Sequence, residues 1–116
     1  MTDSLNVTVD RREGLAVIYT EGYINNQGGE EIARVAYKLL DEGYKMLLLN
    51  LGGTKIVNSI GISILIEIIE KMIEIEGKLG FCCLTPTIEK TFQIMGLAQY
   101  APIFRDEETA VAQFRA

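Results

Sequence analysis

The run Met46-Leu47-Leu48-Leu49-Asn50-Leu51 constrains this chain more than any other stretch. From Lys45 onward it shows no alternation of apolar and polar residues. A strand apolar on both faces belongs in the middle of a sheet, with helices packed on each side. Gly52-Gly53 follows and reads as a loop. Lys55-Ile56-Val57-Asn58-Ser59-Ile60-Gly61-Ile62-Ser63 then opens the longest helical pattern in the sequence, which runs to about Glu76.

The rest of the chain fits around that strand. Leu5, Val7 and Val9 alternate with Asn6, Thr8 and Asp10, the period of a strand with one buried face. Arg11-Arg12-Glu13-Gly14 reads as a turn and Leu15 to Thr20 as a second strand, so the chain begins with a hairpin. Glu21 to Gly29 reads as a polar loop, with Asn25 or Asn26 placed to cap the next helix. That helix carries Ile32, Val35, Ala36, Leu39 and Leu40 on one face and stops at Gly43. Lys78 to Leu84 is another buried strand. Thr85-Pro86 starts a further helix with Ile88, Phe92 and Met95 toward the core and Gly96 at its end. Pro102-Ile103-Phe104 is extended. Asp106 caps a last short helix with Val111 and Phe114 inward. The order predicts an α/β fold: one domain over 1–116, a mixed sheet of four to five strands with an N-terminal hairpin, and about four helices.

Composition narrows the chemistry. The net charge of −5 lacks the positive face that nucleic acid or an anionic membrane requires. The absence of histidine removes the commonest general base and metal ligand. There is no Gly-x-Ser-x-Gly, and Gly52-Gly53-Thr54-Lys55 lacks the spacing of a Walker loop. A non-enzymatic protein without cofactor or metal is expected. Cys82 and Cys83 are adjacent, and neighbours on a strand point to opposite faces; they read as small apolar fillers of a reduced, cytoplasmic protein. Met1-Thr2-Asp3-Ser4 carries no signal-peptide pattern. The isoleucine-rich run from Ile60 to Ile75 is broken by Ser63, Glu67, Glu70, Lys71 and Glu74, so no membrane insertion is expected.

The long helix carries the informative pattern. Ser63, Glu67, Glu70 and Glu74 share one stripe, and Leu65, Ile68, Ile69 and Met72 lie opposite as core. Ile60, Ile62, Ile64, Ile66, Ile73 and Ile75 flank them, an apolar arc wider than a half-buried helix needs. Packing against neighbouring helices accounts for that width; an exposed docking patch including Ile60 is the sharper reading. Ser59, where the loop turns into the helix, is either an ordinary N-cap (unless Asn58 fills that place) or a position where phosphate is carried.

Taken together these residues resemble the STAS-domain family of bacterial anti-sigma-factor antagonists, over nearly the whole chain. The family's landmark is a strand, a short loop, then Asp-Ser-Ser-Gly-Leu-Gly opening a helix. Asn58-Ser59-Ile60-Gly61-Ile62-Ser63 occupies that place. Glu21-Gly22-Tyr23-Ile24 resembles the end of the family's second strand, and Leu49-Asn50-Leu51-Gly52-Gly53 resembles its Leu-Asp-Leu-Ser-Gly. Gly96-Leu97 and Ala101-Pro102-Ile103-Phe104 resemble the segment before its last helix. The departures are Asn58 and Asn50 for Asp, Ile60 for the second Ser, Ser63 for the second Gly, and Ile24-Asn25 for Leu-Asp.

The resemblance implies a STAS fold and a protein-binding switch. The unphosphorylated antagonist binds an anti-sigma factor that is also a serine kinase and frees the sigma factor. The kinase phosphorylates the position matching Ser59, and a metal-dependent serine phosphatase reverses it. Ile24, Asn25, Asn26, Asn58, Ser59, Ile60, Gly61 and Ser63 are the implied partner-binding residues. Two alternatives stand beside it. One is a non-phosphorylated STAS adaptor subunit of a transporter or signalling assembly. The other is a small-ligand or nucleotide-binding domain using the Gly52-Gly53 loop and Asn25.

Overall fold

A computed structural model describes residues 5–116; Met1 to Ser4, read above for a signal peptide, lie outside the described residues. Strand β1 (Leu5–Arg12) and β2 (Leu15–Ile24) form the expected antiparallel hairpin, with Leu5 opposite Gly22 and Arg12 opposite Leu15. Helix α1 (Asn26–Asp41) leads to β3 (Met46–Val57), and α2 (Ser59–Glu74) leads to β4 (Lys78–Cys82). Helix α3 (Pro86–Ile94), a 3-10 turn (Leu97–Gln99), β5 (Ile103–Phe104) and α4 (Glu107–Phe114) complete the chain. The strand order is β1-β2-β3-β4-β5, parallel from β2 onward. Helical crossovers impose that parallel pairing, and the leading hairpin makes the sheet mixed.

The strand at Met46–Leu51 divides its side chains between two cores. Leu47, Leu49 and Leu51 face the larger one, built with Ile32, Leu39, Leu65, Ile69 and Phe92 beneath α1, α2 and α3. Leu48 faces the smaller, with Leu15, Val17, Cys82, Ala110 and Phe114 beneath α4. All four leucines are fully buried, as a strand covered on both sides requires. On α2, Leu65, Ile68, Ile69 and Met72 are core as expected; Ile62, read as a flank, is core as well.

Four expectations change. Arg11 and Arg12, read as part of the turn, are the end of β1 and pair with Ala16 and Leu15. Gly52-Gly53 is not a loop: β3 runs on to Val57 and stays paired with β2. The pairing is kept because β3 inserts an extra residue twice, between Asn50 and Gly53 and between Thr54 and Ile56. Glu21 to Ile24, read within a loop, is correspondingly the end of β2. Met95 is half-exposed, not core: α3 ends at Ile94, Gly96 turns the chain at φ 84°, and Leu97 takes the buried place.

Candidate functional site

The extension of β3 determines where α2 begins. Beyond Asn50, β3 keeps β2 as its neighbour but no longer pairs with β4. Its last residues form a one-sided ribbon on which Lys55 and Ile56 are exposed. Val57 ends opposite Ile24, and the Asn58 amide donates to the Ile24 carbonyl at 3.0 Å. Two parallel strands thus end side by side, and a helix starts from each.

The two helix starts share one construction. Asn25 is extended and its Oδ1 accepts from the Gly28 amide at 2.9 Å. Asn58 is extended (φ −94°, ψ 176°) and its Oδ1 accepts from the Gly61 amide at 2.8 Å. Each is an N-cap satisfying one orphan donor of the first turn. A Cβ on Gly28 would lie 2.6 Å from the Tyr23 carbonyl oxygen, and one on Gly61 would overlap that of Ile24. Glycine three residues after the cap is what lets each helix start against the end of β2.

Ser59 is therefore not the cap. It is the first residue of α2, its side chain exposed, while Asn58 does the capping. Its carbonyl accepts from the Ser63 hydroxyl at 3.1 Å, which occupies Ser63 within the helix. No acidic residue stands in the first turn of α2, so its positive end is not neutralised locally. Ile60 is 53% exposed and Ile56, which sequence reasoning passed over, is 57% exposed, so two large apolar side chains near Ser59 in the chain are uncovered. The remaining predicted site residues separate by burial. Asn26 is exposed, Asn25 and Asn58 are half-buried by their capping roles, and Ile24 and Gly61 are buried and contribute backbone only. The presentation of Ile24 as a contact surface is corrected on that ground: its side chain belongs to the core.

On the α4 face, beside the middle of β2 and β3, stands a polar cluster that local reading missed. Glu107, in the first turn of α4, accepts from Arg12 of β1 at 2.5 Å, Tyr19 of β2 at 3.0 Å and Asn50 of β3 at 3.0 Å. Burial alone would push the Glu107 carboxyl up; the hydrogen bonds from Arg12, Asn50 and Tyr19 outweigh it and hold the group below its ordinary value. Asn50 Oδ1 accepts from the Gly52 amide at 2.9 Å, so one side chain ties α4 to the first irregularity of β3. An aspartate there could not donate to Glu107, which accounts for the amide at position 50. Cys82 is buried, and burial together with the neighbouring Cys83 thiol pushes it up, away from thiolate chemistry. Among the described residues no His, Cys, Asp and Glu group is arranged to hold a metal ion, and no helix is long and apolar enough to cross a membrane.

Comparison with known proteins agrees with this architecture. The STAS domain family matches residues 6–110. BtrV of Bordetella bronchiseptica, assigned by name only as an anti-sigma factor antagonist, is 23% identical over 111 residues, covering 96% of each chain. The crystal structure of an anti-sigma factor antagonist from Mycobacterium paratuberculosis superposes with a TM-score of 0.88 at 20% identity, covering 100% of this chain and 98% of the other. Bacillus SpoIIAA, solved phosphorylated, gives 0.74 at 18% identity over 94% of this chain and 99% of its own. Its unphosphorylated form gives 0.79 at 19% over 95% and 96%. These structural likenesses establish the fold.

Proposed function

We propose that this chain, which belongs to the STAS domain family, is an anti-sigma-factor antagonist switched by phosphorylation of Ser59. The observation that carries the reading is the freedom of the Ser59 hydroxyl. Asn58 has taken over the capping, so Ser59 stands exposed at the first position of α2, with the exposed Ile56 and Ile60 near it in the chain. The names of the relatives support the same reading, and SpoIIAA, which shares the fold, occurs in both phosphorylation states.

In the unphosphorylated form Ile56, Ile60, Asn26 and the Ser59 hydroxyl offer a docking surface to an anti-sigma serine kinase, and its occupation frees the sigma factor. In the kinase, Ser59 Oγ attacks the γ-phosphorus of ATP. The Oγ–P bond forms, the bond to the bridging oxygen breaks, ADP leaves, and the hydroxyl proton passes to a base of the kinase. The product carries about −1.5 to −2 charges. The free N–H groups of α2 and its dipole meet that charge, so the fold tolerates it. The partner must desolvate it against apolar surface, so binding is lost. A metal-dependent phosphatase reverses the step by hydrolysing the ester. The protein itself performs no chemistry.

Incubation with the cognate kinase and ATP is expected to add one phosphate by mass spectrometry, absent in Ser59→Ala. Ser59→Glu is expected to weaken kinase binding about tenfold or more, roughly 1.4 kcal/mol, with little change in melting temperature. Phosphate at another residue, or none with the correct kinase, sinks the switch. If Ser59 takes no phosphate while Ile60→Asp still abolishes partner binding, the chain is a constitutive STAS adaptor of a transporter or signalling assembly. The exposed Ile60, at the place of the family's second Ser, favours that second reading. Nucleotide binding by a Gly52-Gly53 loop loses its basis, since those glycines lie in β3.

A further inference from the structure

The C-terminal half of α2 leaves an apolar trough uncovered. Ile66, Ile69 and Ile73 form one wall; Met95, Leu97 and Tyr100 form the other, around a hollow of about 270 Å³. A second hollow of about 430 Å³ adjoins it across Ile73 and Tyr100 and continues to Phe104 and Phe114, with Lys78 in its lining, so the acidic character belongs to the first hollow. Ile73, Met95 and Tyr100 are 54%, 50% and 65% exposed. Large apolar side chains exposed together along a groove mark an interaction surface.

Charge identifies the occupant. Glu70 lines the hollow, and Glu67 and Glu74 stand a turn away to either side on the exposed stripe of α2. Glu74 approaches Lys71 at 3.6 Å; Glu67 and Glu70 have no ion pair among the described residues. A second copy of the chain, itself carrying −5, would bring the same carboxylates against these. We propose that the trough receives an amphipathic helix of a partner protein, apolar at i, i+3 or i+4 and i+7, with Lys or Arg along its flank. The unbranched Met95 adapts its thioether to the incoming side chains. Ile73 lies fourteen positions along α2 from Ser59, about 21 Å at a rise of about 1.5 Å per residue. The trough is thus a second surface, filled whatever the state of Ser59, and it does not rest on the switch proposed above.

The test is a ¹⁵N-HSQC titration of the full chain with two synthetic helical peptides of identical apolar pattern, one flanked by Lys and one by Glu. The Lys peptide is expected to shift Ile66, Ile73, Met95 and Tyr100, in wild type and in Ser59→Glu alike. Met95→Asp, at an exposed position, is expected to weaken it about tenfold or more, and Glu70→Lys with Glu74→Lys to reverse the preference between peptides. The proposal is overturned if neither peptide perturbs the trough, if both bind equally, or if the shifts lie at the Ser59 end. It is overturned too if the free protein self-associates through these residues, since the occupant is then a second copy.

Discussion

Asn50→Asp restores the residue that the resembling family carries at the end of this strand, and it is expected to destabilise the fold. The Asn50 amide donates to Glu107 at 3.0 Å. A hydrogen bond to a charged acceptor contributes about 1.5–3 kcal/mol. Aspartate removes it and sets two carboxylates in its place. At 3.0 Å and an effective dielectric constant of about 20, their repulsion is about 5–6 kcal/mol. The Arg12 guanidinium, 2.5 Å from the far oxygen of Glu107, offsets part of that. Proton uptake sets a ceiling: protonating a carboxyl of ordinary pKa about 3.9 costs about 5 kcal/mol at pH 7.5 and about 1.5 kcal/mol at pH 5. The expected loss relative to wild type is therefore about 3–5 kcal/mol at pH 7.5, or roughly 12–20 °C for 116 residues, and about 1.5 kcal/mol or less at pH 5. The sign follows from linkage. The introduced Asp has a folded pKa raised above its unfolded one, so its penalty is full above the folded value and disappears below the unfolded value. Wild type behaves oppositely at Glu107, whose lowered carboxyl contributes stability that is lost as pH falls through its folded value, so each comparison is made at one pH. Urea unfolding at pH 7.5 and pH 5 measures both differences. A loss under about 0.5 kcal/mol at both pH values, or one that grows on acidification, refutes the reasoning. In a Glu107→Gln background the same substitution is expected to cost less than about 1 kcal/mol, because the glutamine amide can donate to the aspartate.

Two further outcomes test the helix start. Asn58→Ala is expected to lower stability by about 1 kcal/mol while Ser59→Ala stays within about 0.5 kcal/mol; denaturant midpoints that reverse this order would return the cap to Ser59. Gly61→Ala is expected to lose about 1–3 kcal/mol, although alanine is the better helix former, because its Cβ meets the Ile24 backbone carbonyl. A neutral or stabilising result in thermal melts would show that α2 can shift away from β2.

The sequence by itself determined the frame. The unalternating leucines at 47–49 required a strand buried on both faces, and the periods of two and of 3.6 placed the hairpin and the helical cores. Those signals are local, and side-chain hydrophobicity enforces them whatever the neighbours. Tertiary structure decided the rest. Asn58 and Ser59 are both good caps by type; what distinguishes them is that Asn58, held to the Ile24 carbonyl, is extended, while Ser59 is helical. Gly52-Gly53 has loop composition, yet β2 lies alongside and supplies hydrogen bonds that keep it in a strand. Met95 has the period of a core residue, but α3 ends before it and Leu97 fills the space. The Glu107 cluster joins residues 57, 88 and 95 positions apart, a separation no local pattern can encode. The freedom of Ser59 belongs to this second class. Its place in the chain was legible from the motif; its release from capping duty exists only because two parallel strands end together and Asn58 is the residue held between them.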